Sequence, residues 1–186
     1  MIALLSTQVA NEFAKKTGIE VLALKEYRRL DTPVSSHADM LICKIENTVF
    51  CYEDYYLENR SIFEKIENNY KVVKVSKNCS REYPNDVGLN ALVIGKKIFS
   101  RLDSTAKEIV DYAEENGYKL VNVNQGYSAC STLVLNEGSA ITTDISIYKA
   151  LINEGYSALL VTSEGIELKG YNCGFIGGAG GVYNNT

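Results

Sequence analysis

The sequence contains a single histidine, His37, among 186 residues. One histidine and five widely spaced cysteines give no zinc-ligand spacing, and the H-E-x-x-H motif is missing, so no metal site is predicted. The glycine-rich stretch GFIGGAGG (174–181) does not fit G-x-G-x-x-G in register, and no predicted helix follows it to bind phosphate. Its glycines are expected to let another backbone or a ligand approach closely. No cofactor is predicted.

Basic clusters and long apolar runs are also missing. The net charge is −4 and no basic cluster exceeds three residues, which argues against a nucleic-acid partner. The N-terminal stretch MIALLSTQVANEF has no basic flank and only a short apolar run, so it predicts neither a signal peptide nor a membrane span. An odd number of scattered cysteines is typical of reduced thiols. We therefore expect one domain over residues 1–186, in the cytoplasm and without a membrane partner.

What the sequence does contain is an internal repeat. Four stretches are alike: KKTGIEVLAL (15–24), ENNYKVVKV (67–75), ENGYKLVNV (115–123) and NEGYSALLV (153–161). In each, a helical pattern ends at Gly18, Asn69, Gly117 or Gly155, residue types that tolerate the left-handed conformation closing a helix. A short apolar run follows. Each copy therefore predicts a helix, a cap and a buried strand.

The segments upstream of three copies also match. DMLICKIENTVFC (39–51), NALVIGKKIFS (90–100) and STLVLNEGSAITT (131–143) each predict two strands joined by a polar turn. Aligning Asp39, Asn90 and Ser131 gives three β-β-α-β units, at 37–76, 88–123 and 129–161.

The two chain ends supply a fourth unit. Residues 1–25 predict strand, helix and strand without a first strand, and residues 171–186 supply only a first strand. Pairing 175–183 with 2–6 would close a ring without an exposed sheet edge. An ordinary α/β stack is the alternative, but it predicts alternating strands and helices rather than two strands before every helix. The predicted fold is a closed α/β ring of β-β-α-β repeats.

Such rings resemble the pentein, or β/α-propeller, fold of arginine deiminases, dimethylarginine hydrolases and amidinotransferases. The stretches SSHADMLICKI, NQGYSACSTLVL and GFIGGAGG are similar to an uncharacterised bacterial family with this guanidino-group-modifying-enzyme fold. Penteins have five units, whereas this sequence shows four. Either the ring is shortened, or the fifth unit is missing from this chain and a homo-oligomer covers the open edge.

The resemblance implies a site where the first strands of the units begin. It implies that Cys173 is a nucleophile attacking a guanidinium carbon, that His37 transfers protons, and that Asp39 binds the cationic ligand. Asn90, Ser131 and Asn172 are expected to line the same pocket and to bind substrate. Asp86 precedes its strand by four residues and is expected outside the channel.

Each assignment has a structural alternative. Cys173 is then a small buried thiol at the start of a glycine-rich strand, and His37 a polar residue satisfied by backbone. In the enzymes the histidine opens a later unit, where this chain has Ala129, Cys130 and Ser131. Two functions stay open: a cysteine-dependent hydrolase or transferase of guanidino or amidine compounds, and a non-catalytic binding or interaction module.

Overall fold

The computed structural model describes residues 2–180, and its contacts divide the chain into two compact units, 1–89 and 90–186. Each unit is described by itself below. The fold is mixed α/β, with strands in four separate sheets over the described residues.

The first unit contains a two-stranded and a three-stranded sheet. In the two-stranded sheet, β1 (Ile2–Ser6) and β2 (Glu20–Leu24) are parallel and joined by helix α1 (Thr7–Thr17). The three-stranded sheet contains β3 (Ile42–Ile45), β4 (Thr48–Tyr52) and β5 (Lys71–Val75). Its helices are α2 (Ala38–Leu41), α3 (Glu53–Glu58) and α4 (Arg60–Glu67).

The second unit contains two three-stranded sheets. The first combines β6 (Leu92–Ile94), β7 (Lys97–Ser100) and β8 (Lys119–Asn122) with helix α5 (Lys107–Glu115). The second combines β9 (Thr132–Asn136), β10 (Ser139–Thr142) and β11 (Ser157–Leu160) with helix α6 (Ile145–Asn153). A short helix, α7 (Ile176–Ala179), follows a loop.

The three three-stranded sheets share one order of elements. In each, an antiparallel strand pair is followed by helix and then by a strand parallel to the second strand. The middle strand is the second one in every case. This is the order that the sequence predicts for 37–76, 88–123 and 129–161.

Glycines end three of the helices as expected. Gly18, Gly117 and Gly155 have φ values of 69°, 69° and 86°. After α6, the N–H of Tyr156 donates to the carbonyl of Leu151 at 3.0 Å, and that of Gly155 to Ile152 at 3.0 Å. These bonds satisfy carbonyls that the helix end would otherwise leave open. The chain then turns directly into β11.

Each unit has its own buried core. In the second unit a single cluster joins both sheets and α6 through Leu92, Ile94, Phe99, Val123, Ala140, Ile147 and Leu151. In the first unit the core includes aromatic pairs: Tyr27 stacks on Tyr52 with ring centroids 5.5 Å apart, and Tyr55 meets Phe63 edge to face. Such aromatic pairs add packing energy to the apolar area that they bury.

Two segments depart from the sequence-based expectation. The strand predicted from Asp39 begins at Ile42, because residues 38–41 form a helical turn in which the N–H of Ile42 bonds to the carbonyl of Ala38. The strand predicted for the C-terminal stretch is wrong at 176–179, which are helical. Residues 181–186, and with them part of the predicted pairing of 175–183 with 2–6, lie outside the described residues.

Candidate functional site

Asn90 is the centre of a buried hydrogen-bond network in the second unit. It lies just before β6, is 1% exposed, and its side-chain oxygen accepts the N–H groups of Ala129 (2.8 Å) and Cys130 (3.2 Å). Its side-chain nitrogen donates to the Cys130 sulfur at 2.9 Å. The residues at the starts of the predicted repeats 88–123 and 129–161 are therefore in contact, as the alignment of Asn90 with Ser131 implies.

Ser131 lies beside this network and is also buried, at 2% exposure. Its N–H donates to the Tyr127 carbonyl, and its own carbonyl accepts the Thr142 hydroxyl at 2.9 Å and the Thr143 N–H at 3.1 Å. These contacts join the start of β9 to the end of β10. Substrate binding by Asn90 and Ser131 stays a prediction, and the structure places both inside the protein.

Helix α7 is fixed to the same network through Gly177. Its N–H donates to the Cys130 carbonyl at 2.8 Å. A Cβ at this position would lie 2.7 Å from the Cys130 oxygen and 2.9 Å from that of Thr132, and closer still to that of Ala129. The glycine-rich stretch therefore allows a close approach of two backbones, as its composition predicts.

Cys173 and Asn172 lie on an open groove. Both are exposed, and the groove, of about 810 Å³, is lined by residues 163–173 of the loop between β11 and α7. The loop is closed at its base by a 2.6 Å hydrogen bond from the Gly174 N–H to the Ile166 carbonyl. Gly174 has no room for a side chain, because a Cβ there would lie 2.7 Å from an Ile166 methyl group.

The groove also contains charged side chains that the sequence analysis missed. Glu164, Glu167 and Lys169 are exposed and line it together with Cys173. The available signal was the pair Gly165 and Gly170, whose positive φ values of 83° and 97° shape this loop. Glu167 and Lys169 lie between these two glycines, and glycine is typical of turns in a surface loop.

Exposure separates Cys173 from the other cysteines. Cys43, Cys51, Cys79 and Cys130 are buried, and none of the five cysteines, all within residues 2–180, forms a disulfide. Burial raises the pKa of Cys51 and of Cys79 to about 12. Because the thiolate is the reactive form, these two thiols are inert near neutral pH. The alternative in which Cys173 is a buried thiol is wrong, because Cys173 is exposed.

His37 and Asp39 lie in the first unit. His37 is the residue before α2: its N–H donates to the Val34 carbonyl and its carbonyl accepts the N–H of Met40, each at 3.1 Å. Asp39 stands in the first turn of α2, where a negative charge favours the helix. Both side chains are partly exposed. Their predicted convergence with Cys173 stays a prediction.

The first unit also contains a polar network that the sequence analysis did not identify. The Tyr27 hydroxyl donates to Asp54 at 2.6 Å, and Arg29 pairs with the other oxygen of Asp54 at 2.5 Å. Burial, followed by the bond to Asp54, raises the pKa of Tyr27 above its ordinary range. Asp86 is 4% exposed, and its expected position outside the channel stays a prediction. Since its carboxylate is enclosed, Asp86 is part of the interior of this unit.

Two further sequence-based points can be compared with residues 2–180. Within that range, no group of three or more His, Cys, Asp or Glu side chains is placed to hold a metal ion. No helix within it is long and apolar enough to cross a membrane.

Comparison with known proteins places the chain in a family. Residues 4–186 match the family of unknown function DUF6873. The chain belongs to this family. Among curated proteins, none matches the sequence.

Solved structures show which fold the DUF6873 chain has. A mutant of DDAH from Pseudomonas aeruginosa, complexed with citrulline, is similar with a TM-score of 0.54 and 12% identity, over 88% of this chain and 76% of the enzyme's. SxtG, an amidinotransferase from Microseira wollei in the saxitoxin biosynthetic pathway, gives 0.53 and 12%, over 83% of this chain and 53% of the other. At this identity the likeness shows the fold alone, and that fold is the pentein fold.

Proposed function

We propose that this pentein-fold protein is a cysteine-dependent hydrolase or transferase of guanidino or amidine compounds, with Cys173 as the nucleophile. The observation that carries the proposal is that Cys173 is the exposed one of five thiols and lines a groove of about 810 Å³. An exposed thiol in a concave site can reach a small molecule, whereas a buried one cannot.

The charges on the groove support a cationic ligand. Glu164 and Glu167 supply two carboxylates to the groove that Cys173 lines, and Lys169 supplies one cation. A guanidinium group pairs with carboxylates through two parallel hydrogen bonds, which orients it as well as binds it. Asn172, next to Cys173 on the same groove, offers a neutral donor and acceptor.

In the proposed reaction the Cys173 thiolate forms a bond to the central guanidino carbon. The carbon–nitrogen bond to one substituent then breaks, and the amine leaves with a proton supplied by a general acid. In a second step, water or an acceptor amine attacks the same carbon, loses a proton to the base, and releases the thiolate. His37 is proposed as the group that transfers these protons and Asp39 as a ligand for the cation, both on the resemblance alone.

A non-catalytic binding module is the second candidate. One observation favours it: residues 163–173, which line the groove, include no histidine, so no imidazole of this loop stands beside the thiol. A groove with two carboxylates binds a cation whether or not a base activates the cysteine. In this case the protein would act through binding or surface contact.

One experiment separates the two functions. The protein is incubated with arginine, methylated arginines and agmatine, with and without an acceptor amine, while ureido product and released amine are measured. Binding of the same compounds to Cys173→Ser is measured by calorimetry. An enzyme should lose about a thousandfold or more of its turnover in Cys173→Ser while the variant still binds ligand.

The other outcomes are equally informative. Binding by the wild type without turnover, together with a Cys173 alkylation rate no faster than that of free cysteine, would replace the enzyme by the binding module. Absence of both binding and turnover over the whole panel would overturn both.

A further inference from the structure

Cys173 is followed by two anchoring points that fix its segment in place. At the first, the Gly174 N–H donates to the Ile166 carbonyl at 2.6 Å. At the second, the Gly177 N–H donates to the Cys130 carbonyl at 2.8 Å. Between them, the Phe175 ring lies 5.4 Å from that of Tyr127. The position of the thiol therefore depends on where residues 127–130 are held.

Residues 129 and 130 are in turn held by Asn90. Its amide oxygen accepts two successive backbone N–H groups, a pairing in which one side chain fixes the direction of a turn. Its amide nitrogen bonds to the Cys130 sulfur. Because Asn90 is 1% exposed and Cys130 fully buried, water does not replace these bonds.

The second anchor tolerates little displacement. Three backbone oxygens, those of Ala129, Cys130 and Thr132, surround the place where a side chain at residue 177 would begin. Next to it, Gly178 has open space at the same position. The close packing of Gly177 against these oxygens therefore fixes its position, in addition to its hydrogen bond.

We infer that Asn90 is a positioning residue for Cys173, acting through the backbone of Ala129 and Cys130 and their contact with Gly177. This inference rests on the proposed function, in which Cys173 is the reacting group. The role inferred for Asn90 differs from the substrate binding that the resemblance implies. Its side chain holds the segment that carries the nucleophile in place and does not contact the substrate.

The test compares two adjacent glycines. Gly177→Ala should raise deuterium exchange of the amides of residues 172–178 by about tenfold or more, because its methyl group expels α7 from the three oxygens. Gly178→Ala is the matched control and should leave this exchange unchanged. The amides of α6 serve as the internal reference, since global destabilisation would raise their exchange as well.

Asn90 is tested in the same measurement. Asn90→Ala should raise exchange in residues 172–178 as Gly177→Ala does, and the double variant should add little, because both changes release the same contact. Cys130→Ala removes the sulfur but keeps the backbone groups, so it should leave the exchange near that of the wild type. Should Asn90→Ala fail to fold, the glycine pair and Cys130→Ala still test the path.

The outcomes separate this inference from the proposed function. If exchange rises in Asn90→Ala and Gly177→Ala but the wild type shows no turnover, the anchoring by Asn90 is supported and the proposed reaction is rejected. Turnover that depends on Cys173 but is equal in Gly177→Ala and Gly178→Ala, with unchanged exchange, would reject Asn90 as a positioning residue and keep the reaction.

Discussion

Single side chains in this protein serve two distinct purposes, and burial tells them apart. Asn90 and Thr142 are buried and bind other parts of the protein at hydrogen-bond distance, whereas Cys173 and Asn172 face solvent on a groove. A polar group taken from water must find partners within the protein. Buried polar residues are therefore interpreted here as parts of the fold, and exposed ones on a concave surface as candidates for chemistry.

Asp144, a half-buried residue that caps a helix, makes stability depend on pH. It caps α6, where its carboxylate accepts the N–H groups of Ser146 (2.8 Å) and Ile147 (3.0 Å), the Ser146 hydroxyl and the Gln125 amide. Burial alone would raise the pKa of Asp144, but these hydrogen bonds together outweigh it and hold the pKa below its usual range.

We expect Asp144→Ala to lower the free energy of unfolding by about 1 kcal/mol at neutral pH, since the helix loses its cap. The Asp144→Asn variant keeps a capping oxygen without the charge, so it isolates the electrostatic part. A carboxyl group whose pKa is lowered in the folded protein makes its full contribution to stability at pH values above its pKa in the unfolded chain, which is about 3.9 for Asp. The advantage of wild type over Asp144→Asn should therefore shrink as pH falls below about 4 and through the lowered pKa.

Urea unfolding at several pH values measures this dependence. Equal stability of wild type and Asp144→Asn at neutral pH would contradict the proposed charge contribution at the cap.

Much of the element order could be predicted because local signals agree with it. Gly117 and Gly155 end helices where an apolar run starts, and the polar turns at residues 95–96 and 137–138 separate antiparallel strands. These signals are local, so they do not require knowledge of the tertiary contacts. Asn69 was placed in the same series as the glycines but has no positive φ, since Asn tolerates that conformation without requiring it.

Gly117→Ala tests the cap that follows α5. The residue has φ 69° with open space around a new Cβ, so the cost is that of the left-handed backbone alone, about 1 kcal/mol in the free energy of unfolding. Gly138→Ala is the matched control: it lies in the turn between β9 and β10, has no positive φ, and would meet only ordinary contact at 3.6 Å. Chemical denaturation of both variants measures the difference. Equal stability of the two would contradict the assigned cap.

The candidate site was harder to predict than the strands because tertiary contacts decide it. The five glycines in GFIGGAGG disfavour a helix, yet residues 176–179 are helical. Gly177 bonds to Cys130, which lies 47 positions earlier. Asn90 likewise reaches Cys130 across 40 positions. From the sequence, the resemblance suggested that Asn90 and Ser131 belong together, but neither spacing nor composition indicated that both would be buried.

At the scale of the whole molecule, the five thiols report on the integrity of both units. Cys43, Cys51 and Cys79 are buried in the unit 1–89 and Cys130 in the unit 90–186, while Cys173 is exposed. An aromatic disulfide reagent at neutral pH should therefore titrate one thiol in the native protein and five in strong denaturant. Peptide mass spectrometry should place the native label on Cys173, and Cys173→Ser should reduce the native count to zero.

The rate of labelling at the other thiols gives a second result from the same experiment. Because a buried thiol reacts only when its surroundings open, each slow rate reflects the free energy of that opening. Cys51 and Cys79, whose pKa values burial raises to about 12, should stay unlabelled until the unit 1–89 unfolds. Fast labelling of either in the native protein would contradict the burial of that core, and with it the contrast on which the assignment of Cys173 depends.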